Sequence, residues 1–286
     1  MDTSKLVPND PRVKHTSATI RGKTYSYIIG EPRTKTPVGT VVLIHGFPDL
    51  GFGWRCQVPY LMSLGFRVVV PDMLGYAGTS RPNDLQQFSF RNIADDIKAL
   101  ARTAPRKDFI PLEKAIAAGH LTNFRYQLQL RGPDIEEKIQ GPHKIRQFLS
   151  AVHDAVGTGR ETGFTVERGV IFEDLDKLTE SDKLSKEELD YYVQQYILQD
   201  APQMRGPLNW YRTREINYKD ELPLAQKNNT LEMPTLFIAA KNDTALPPSM
   251  SVGMEQYLPK LTRGEVESSH WAPTEASADV NRELGL

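Results

Sequence analysis

Two short apolar runs rich in β-branched residues, 38–44 and 66–70, stop at turn dipeptides, His45-Gly46 and Pro71-Asp72. A stretch with helical spacing, 54–64, lies between them. Runs this short and apolar on both faces suit buried strands, and parallel strands need a crossover between them. The alternation continues. Residues 92–101 place Ile93, Ile97 and Leu100 on one helical face, and 114–118 read as a third strand running into Gly119-His120. Ahead of the first run, residues 19–29 carry two β-rich pieces around Gly22, as in a hairpin. This order predicts an α/β fold, a doubly wound and mostly parallel sheet with right-handed crossovers.

From about residue 123 to 218 the strand signals fade and helical spacing dominates. Ser185-Lys186-Glu187-Glu188 reads as a capping box ahead of an apolar face of Leu189, Tyr192, Val193, Tyr196 and Ile197. The charged stretch 173–190 reads as solvated surface. After Met233-Pro234 strands return at 235–240, ending at Lys241-Asn242-Asp243, and more weakly at 264–267, ending at Ser268-Ser269-His270. The expected organisation is a core over 1–121, a helical cap over 122–218 and the rest of the core over 219–286.

A chain of 286 residues buries a full core without staples. With 35 basic and 36 acidic residues, bulk charge argues against a nucleic-acid or membrane-surface role. The longest apolar run is five residues, 236–240, against the ~20 a membrane span needs. The first residues show no secretory pattern, so a soluble, cytoplasmic protein is expected. Cys56 is the only cysteine, which excludes an internal disulfide and a cysteine-based zinc site. His15, His143 and His153 lack metal-ligand spacing, so no metal or organic cofactor is expected.

Sites in parallel sheets collect where strands end. Asp243 and His270 stand at two such ends in the order acid, then histidine, which closes the nucleophile–acid–histidine order of the α/β-hydrolase fold. A carboxylate on one imidazole nitrogen fixes the tautomer, and the other nitrogen can then take a proton from water or a nucleophile. The loop His45-Gly46-Phe47-Pro48 can aim a backbone N–H into such a site. Asp49 reads as the cap of the helix that follows.

The motifs His45-Gly46-Phe47-Pro48-Asp49, Trp54 and 71–82 resemble the N-terminal half of the epoxide hydrolases of the α/β-hydrolase fold. Asn123-Phe124-Arg125-Tyr126-Gln127 and Gly206-Pro207-Leu208-Asn209-Trp210-Tyr211-Arg212 are similar to that family's two lid-tyrosine motifs. Asp243 with Pro247-Pro248, and His270-Trp271, match its late acid and histidine. The resemblance implies that Tyr126 and Tyr211 hold the epoxide oxygen and that His270 activates water while Asp243 orients it. It assigns the Phe47 N–H to the oxyanion hole. It also implies a small hydrophobic epoxide as substrate, hydrolysed to a vicinal diol. A homodimer is the one assembly it brings into consideration.

The resemblance breaks at its centre. The family has Gly-His-Asp-Trp-Gly after the third core strand, with Asp as the nucleophile. Here Gly119-His120 is followed by Leu121-Thr122-Asn123, so Leu121 stands at the nucleophile position with no nucleophilic atom. The elbow helix and the next core strand are missing with it, which should leave a gap in the sheet. Three readings follow: an epoxide hydrolase without its nucleophile, an inactive α/β-hydrolase-like binding protein, or a truncated splice or gene-model product. Asp72 and Asp49 lie near strand ends but have structural counterparts in the family, so neither is expected to replace the nucleophile.

Overall fold

The computed structural model describes residues 2–34, 36–98, 111–225 and 230–285. The hairpin is longer than the sequence suggests. Strand β1 (Val13–Ile20) pairs antiparallel with β2 (Lys23–Gly30) through a two-residue turn. Both turn residues, Arg21 and Gly22, have positive φ, the geometry that matches strand twist in tight hairpins. Strand β3 (Thr40–Val42) is shorter than its apolar run. A 3-10 turn and α1 (Gln57–Ser63) lead from it to β4 (Arg67–Pro71). β3 and β4 pair in parallel, as a crossover helix dictates, and β2 joins β4 antiparallel. Helix α2 (Phe90–Lys98) follows, while Ala99, Leu100 and Ala101 of the expected helix lie outside the described residues.

The expected strand at 114–118 is instead a helix, α3 (Leu112–Ala117). Leu, Glu, Lys and Ala all favour a helix, and a helix satisfies its own backbone where no strand is beside it to pair with. Gly119, at positive φ, closes α3: its N–H donates to the Ile116 carbonyl, and the His120 N–H donates to Ala115. That is the two-bond pattern of a glycine C-cap, so the dipeptide taken for a strand end serves as a helix end.

A helical segment comes next: α4 (Tyr126–Leu130), α5 (Asp134–Lys138), α6 (Gly141–Val152), the two-residue strands β5 (Phe164–Thr165) and β6 (Gly169–Val170), α7 (Lys186–Tyr196), α8 (Arg205–Arg212) and α9 (Arg214–Ala225). The capping box on α7 forms as expected, with Ser185 and Glu188 each accepting the other's backbone N–H. The chain closes with β7 (Thr235–Ala240), β8 (Leu261–Val266), α10 (Ala272–Glu275) and α11 (Ser277–Leu284).

The core sheet is mixed and divided. One piece has the order β1-β2-β4-β3, and β7 and β8 form a separate parallel pair. The apolar interior divides with it. A large cluster runs from β2 and β4 through α1 into α6, α7 and α8, whereas β8 and α11 hold a small one of Val266, Ala276 and Val280. All six residues of β7 are only half-buried, unlike an apolar strand covered on both faces.

Candidate active site

Tyr126 opens α4, and its backbone N–H donates to the Val166 carbonyl at 3.1 Å. Gln129, one turn on, bonds both the N–H and the C=O of Val170. The β5–β6 hairpin thereby holds α4, and Phe164 packs edge-on against the Tyr126 ring. Tyr211 lies near the end of α8, which approaches the core by backbone contact. A Cβ on Gly75, itself at φ +88°, would stand 2.7 Å from the Gly206 Cα, so both positions require glycine. Trp210 fixes the rotation of α8 by donating to the Leu74 carbonyl at 3.0 Å. Arg212 ties α8 to the end of α4 through the carbonyls of Arg131 and Gly132, and pairs with Glu136.

These anchors bring the two tyrosine rings to 6.5 Å, centroid to centroid, with Phe47 edge-on to Tyr211 at 5.1 Å. Burial pushes both phenols above their ordinary pKa, so each hydroxyl stays a donor at neutral pH.

Asp243 and His270 follow β7 and β8, and the parallel pairing of those strands sets their loops side by side. His270 Nδ1 lies 2.9 Å from Asp243 Oδ2. Asp243 is buried, and its Oδ1 accepts the backbone N–H groups of Ala245 and Leu246. With Nδ1–H donated to the carboxylate, Nε2 is left as the basic nitrogen. His270 keeps 44% of its side chain exposed, open to water. A cavity of about 140 Å³ is lined by Phe47, Tyr126, Tyr211 and His270 together.

Leu121 adopts a left-handed conformation, φ 53° and ψ 34°, which disfavours side chains other than Gly and Asn. Asp72 is half-buried and accepts the Gly51 N–H, and its removal from solvent pushes its carboxyl above the ordinary range. Asp49 does not cap the helix after it: it accepts the Leu50 N–H and the Tyr192 hydroxyl, bracing the core against α7.

His153, set aside at the sequence level as a metal ligand, lies at the end of α6 stacked on Trp271 at 3.9 Å and 15°. Trp271 also donates to the Val152 carbonyl, and Lys183 pairs with Glu275 and Asp154. The helical segment thus grips the loop that carries His270. Nothing local in the sequence marks this contact. Among the described residues no cluster of His, Cys, Asp and Glu could hold a metal, and no helix is long and apolar enough to cross a membrane.

Comparison with known proteins bears on the fold and the family. A family profile described as alpha/beta hydrolase fold matches residues 39–120. The epoxide hydrolase srdG of Neurospora crassa is 34% identical and aligns over all of this chain and 98% of its own. That alignment spans 342 positions against the 286 residues here, so at least 56 residues of the relative have no counterpart. The bifunctional epoxide hydrolase 2 of Rattus norvegicus is 29% identical over 85% of this chain, which spans half of the rat protein. A solved epoxide hydrolase from Vigna radiata superposes with a TM-score of 0.73 at 19% identity, covering 96% of each chain. Epoxide hydrolase A from Mycobacterium thermoresistibile gives 0.71 at 22% identity, covering 95% of this chain and 97% of its own.

Proposed function

Since this chain belongs to the epoxide hydrolases of the α/β-hydrolase fold, we propose that it opens an epoxide to a vicinal diol by direct attack of water, without an enzyme ester. The observation that carries this reading is the cavity shared by Tyr126, Tyr211 and His270. The helical segment acts as a cap that supplies both tyrosines to a site on the core.

Tyr126 and Tyr211 donate to the epoxide oxygen. Donors already in place where negative charge develops stabilise the transition state most. His270 Nε2 takes a proton from water as the water oxygen bonds to a ring carbon and that carbon's bond to the epoxide oxygen breaks. A phenol proton moves to the leaving alkoxide, and the imidazolium proton returns to the phenolate through solvent. The balance is one water and one epoxide to one diol. Asp243 orients His270 and stabilises the imidazolium. The oxyanion-hole role expected for the Phe47 N–H belongs to an ester route. In the direct route Phe47 acts through its ring, which packs on Tyr211.

A second reading, ligand binding without turnover, is favoured by Leu121 at the nucleophile position. A single turnover in ¹⁸O-water tests the direct route against one through an enzyme ester. Direct attack places the label in the diol at once, whereas an enzyme ester delivers an unlabelled protein oxygen first. Tyr126→Phe and Tyr211→Phe should each lower kcat by about 10²–10³, the usual effect of losing one such donor. Tight epoxide binding with no diol over many hours would replace the hydrolytic reading with the binding one.

A further inference from the structure

The base and the two tyrosines are carried by differently packed parts of the molecule. Tyr126 and Tyr211 pack against the large apolar cluster. His270 follows β8, which rests on the small cluster of Val266, Ala276 and Val280. The hydrogen bond from Nδ1 to Asp243 holds the His270 ring at one atom only. A bond at one atom sets a distance and leaves the ring free to tilt, whereas a base works only with its free nitrogen aimed at the reacting proton.

The residues on either side of His270 are clamped. Ser269 donates both its N–H and its hydroxyl to the Glu275 carboxylate, at 2.6 and 2.7 Å. Trp271 donates its indole N–H to the Val152 carbonyl at 3.3 Å and lies face to face with His153. The indole in turn stands edge-on to His270 at 5.5 Å and 84°, so its plane sets the wall beside the imidazole.

His153 offers that indole a fixed surface. It is buried, and its Nδ1 lies 2.8 Å from the Leu149 carbonyl one turn back along α6. In that geometry the nitrogen donates, and the ring cannot turn without losing the bond. Tyr192 of α7 packs edge-on against it at 6.2 Å. Ile145, Phe148 and Leu149 anchor α6 in the large cluster. A continuous line of contacts therefore runs from the main interior through α6, His153 and Trp271 to His270.

We infer that His153 is a positioning residue: through its stack on Trp271 it holds the His270 imidazole in register with the tyrosine pair. The kinetic part of this proposal rests on the hydrolytic reading above, while the ring orientation does not.

The test labels the histidines of the full chain with ¹⁵N and reads ring tautomers at pH 8 from long-range ¹H–¹⁵N spectra, with His270 assigned through His270→Gln. The wild-type chain should show His270 as the Nδ1–H tautomer. His153→Leu removes the flat face and should mix in the Nε2–H tautomer that a ring released to water adopts. With styrene oxide as probe it should lower kcat about tenfold or more and leave KM within about twofold, because a misplaced base costs transition-state stabilisation rather than binding. His153→Phe keeps an aromatic face without the Leu149 bond, and should retain the tautomer and a kcat within about threefold. Trp271→Leu against Trp271→Phe makes the same comparison from the other side of the stack should His153→Leu not fold. An unchanged His270 tautomer in folded His153→Leu overturns the proposal, as does an equal change in the Leu and Phe variants. A wild-type chain that forms no diol, with the tautomer lost in His153→Leu and kept in His153→Phe, would keep the positioning role and remove the hydrolysis.

Discussion

At the scale of single residues, His153 couples stability to pH. Burial pushes its imidazole down to about 4, with Arg55 adding to the effect and the Leu149 carbonyl, Asp49 and Asp154 opposing it. Above pH 6.5 the ring is neutral in both folded and unfolded chains. Below that the unfolded ring takes up a proton that the folded ring refuses until about pH 4, so stability falls as pH drops through this window. The loss should amount to roughly 3 kcal/mol. Urea unfolding at pH 7.5 and 4.5 reads it, and His153→Phe should remove most of the difference. A drop of equal size in the variant would place the effect elsewhere. Asp243, His270, Tyr126 and Tyr211 were legible because short motifs surround them. His153 was not, because its stacking partner Trp271 lies more than a hundred residues away.

At the scale of elements, α7 shows what local chemistry can reveal and what it cannot. Its capping box was readable from four consecutive residues. The second use of Glu188 was not: its Oε1 accepts from Arg55 at 2.7 Å and from Lys5 at 2.9 Å, joining α7 to the core. Glu188→Ala should cost about 3–5 kcal/mol, because it leaves the buried Arg55 guanidinium without its partner. Glu188→Gln should cost less, since an amide oxygen still accepts. Denaturant midpoints compare the two, and equal losses would show the carboxylate charge, rather than the acceptor that Gln retains for the cap and Arg55, to be the source. Helix α3 carries the opposite lesson. An apolar run ending in glycine fits a buried strand or a capped helix, and only the presence or absence of neighbouring strands decides between them.

At the scale of the molecule, the divided sheet should make the two parts unequal in stability. Strands β2 and β4 sit in the large apolar cluster, while β7 has six half-buried residues and β8 rests on a small one. Amide hydrogens of β7 and β8 should therefore exchange faster than those of β2 and β4, through partial openings below the global unfolding energy. Equal protection by hydrogen-exchange mass spectrometry would show the two pieces to unfold as one. The gap itself was foreseeable, because a strand pattern that breaks after His120 and resumes at residue 235 leaves positions unfilled. The helix that occupies residues 112–117 was not. The large cluster also has a bearing on molecular traffic. It passes without interruption from the N-terminal strands into α6, α7 and α8, so these helices cannot swing aside as a door without exposing the protein's main interior. Small molecules must come and go past individual side chains at the cavity mouths, on the nanosecond scale of rotamer changes rather than the millisecond scale of domain swings. The rate of arrival is then set by diffusion and by charge at the mouth.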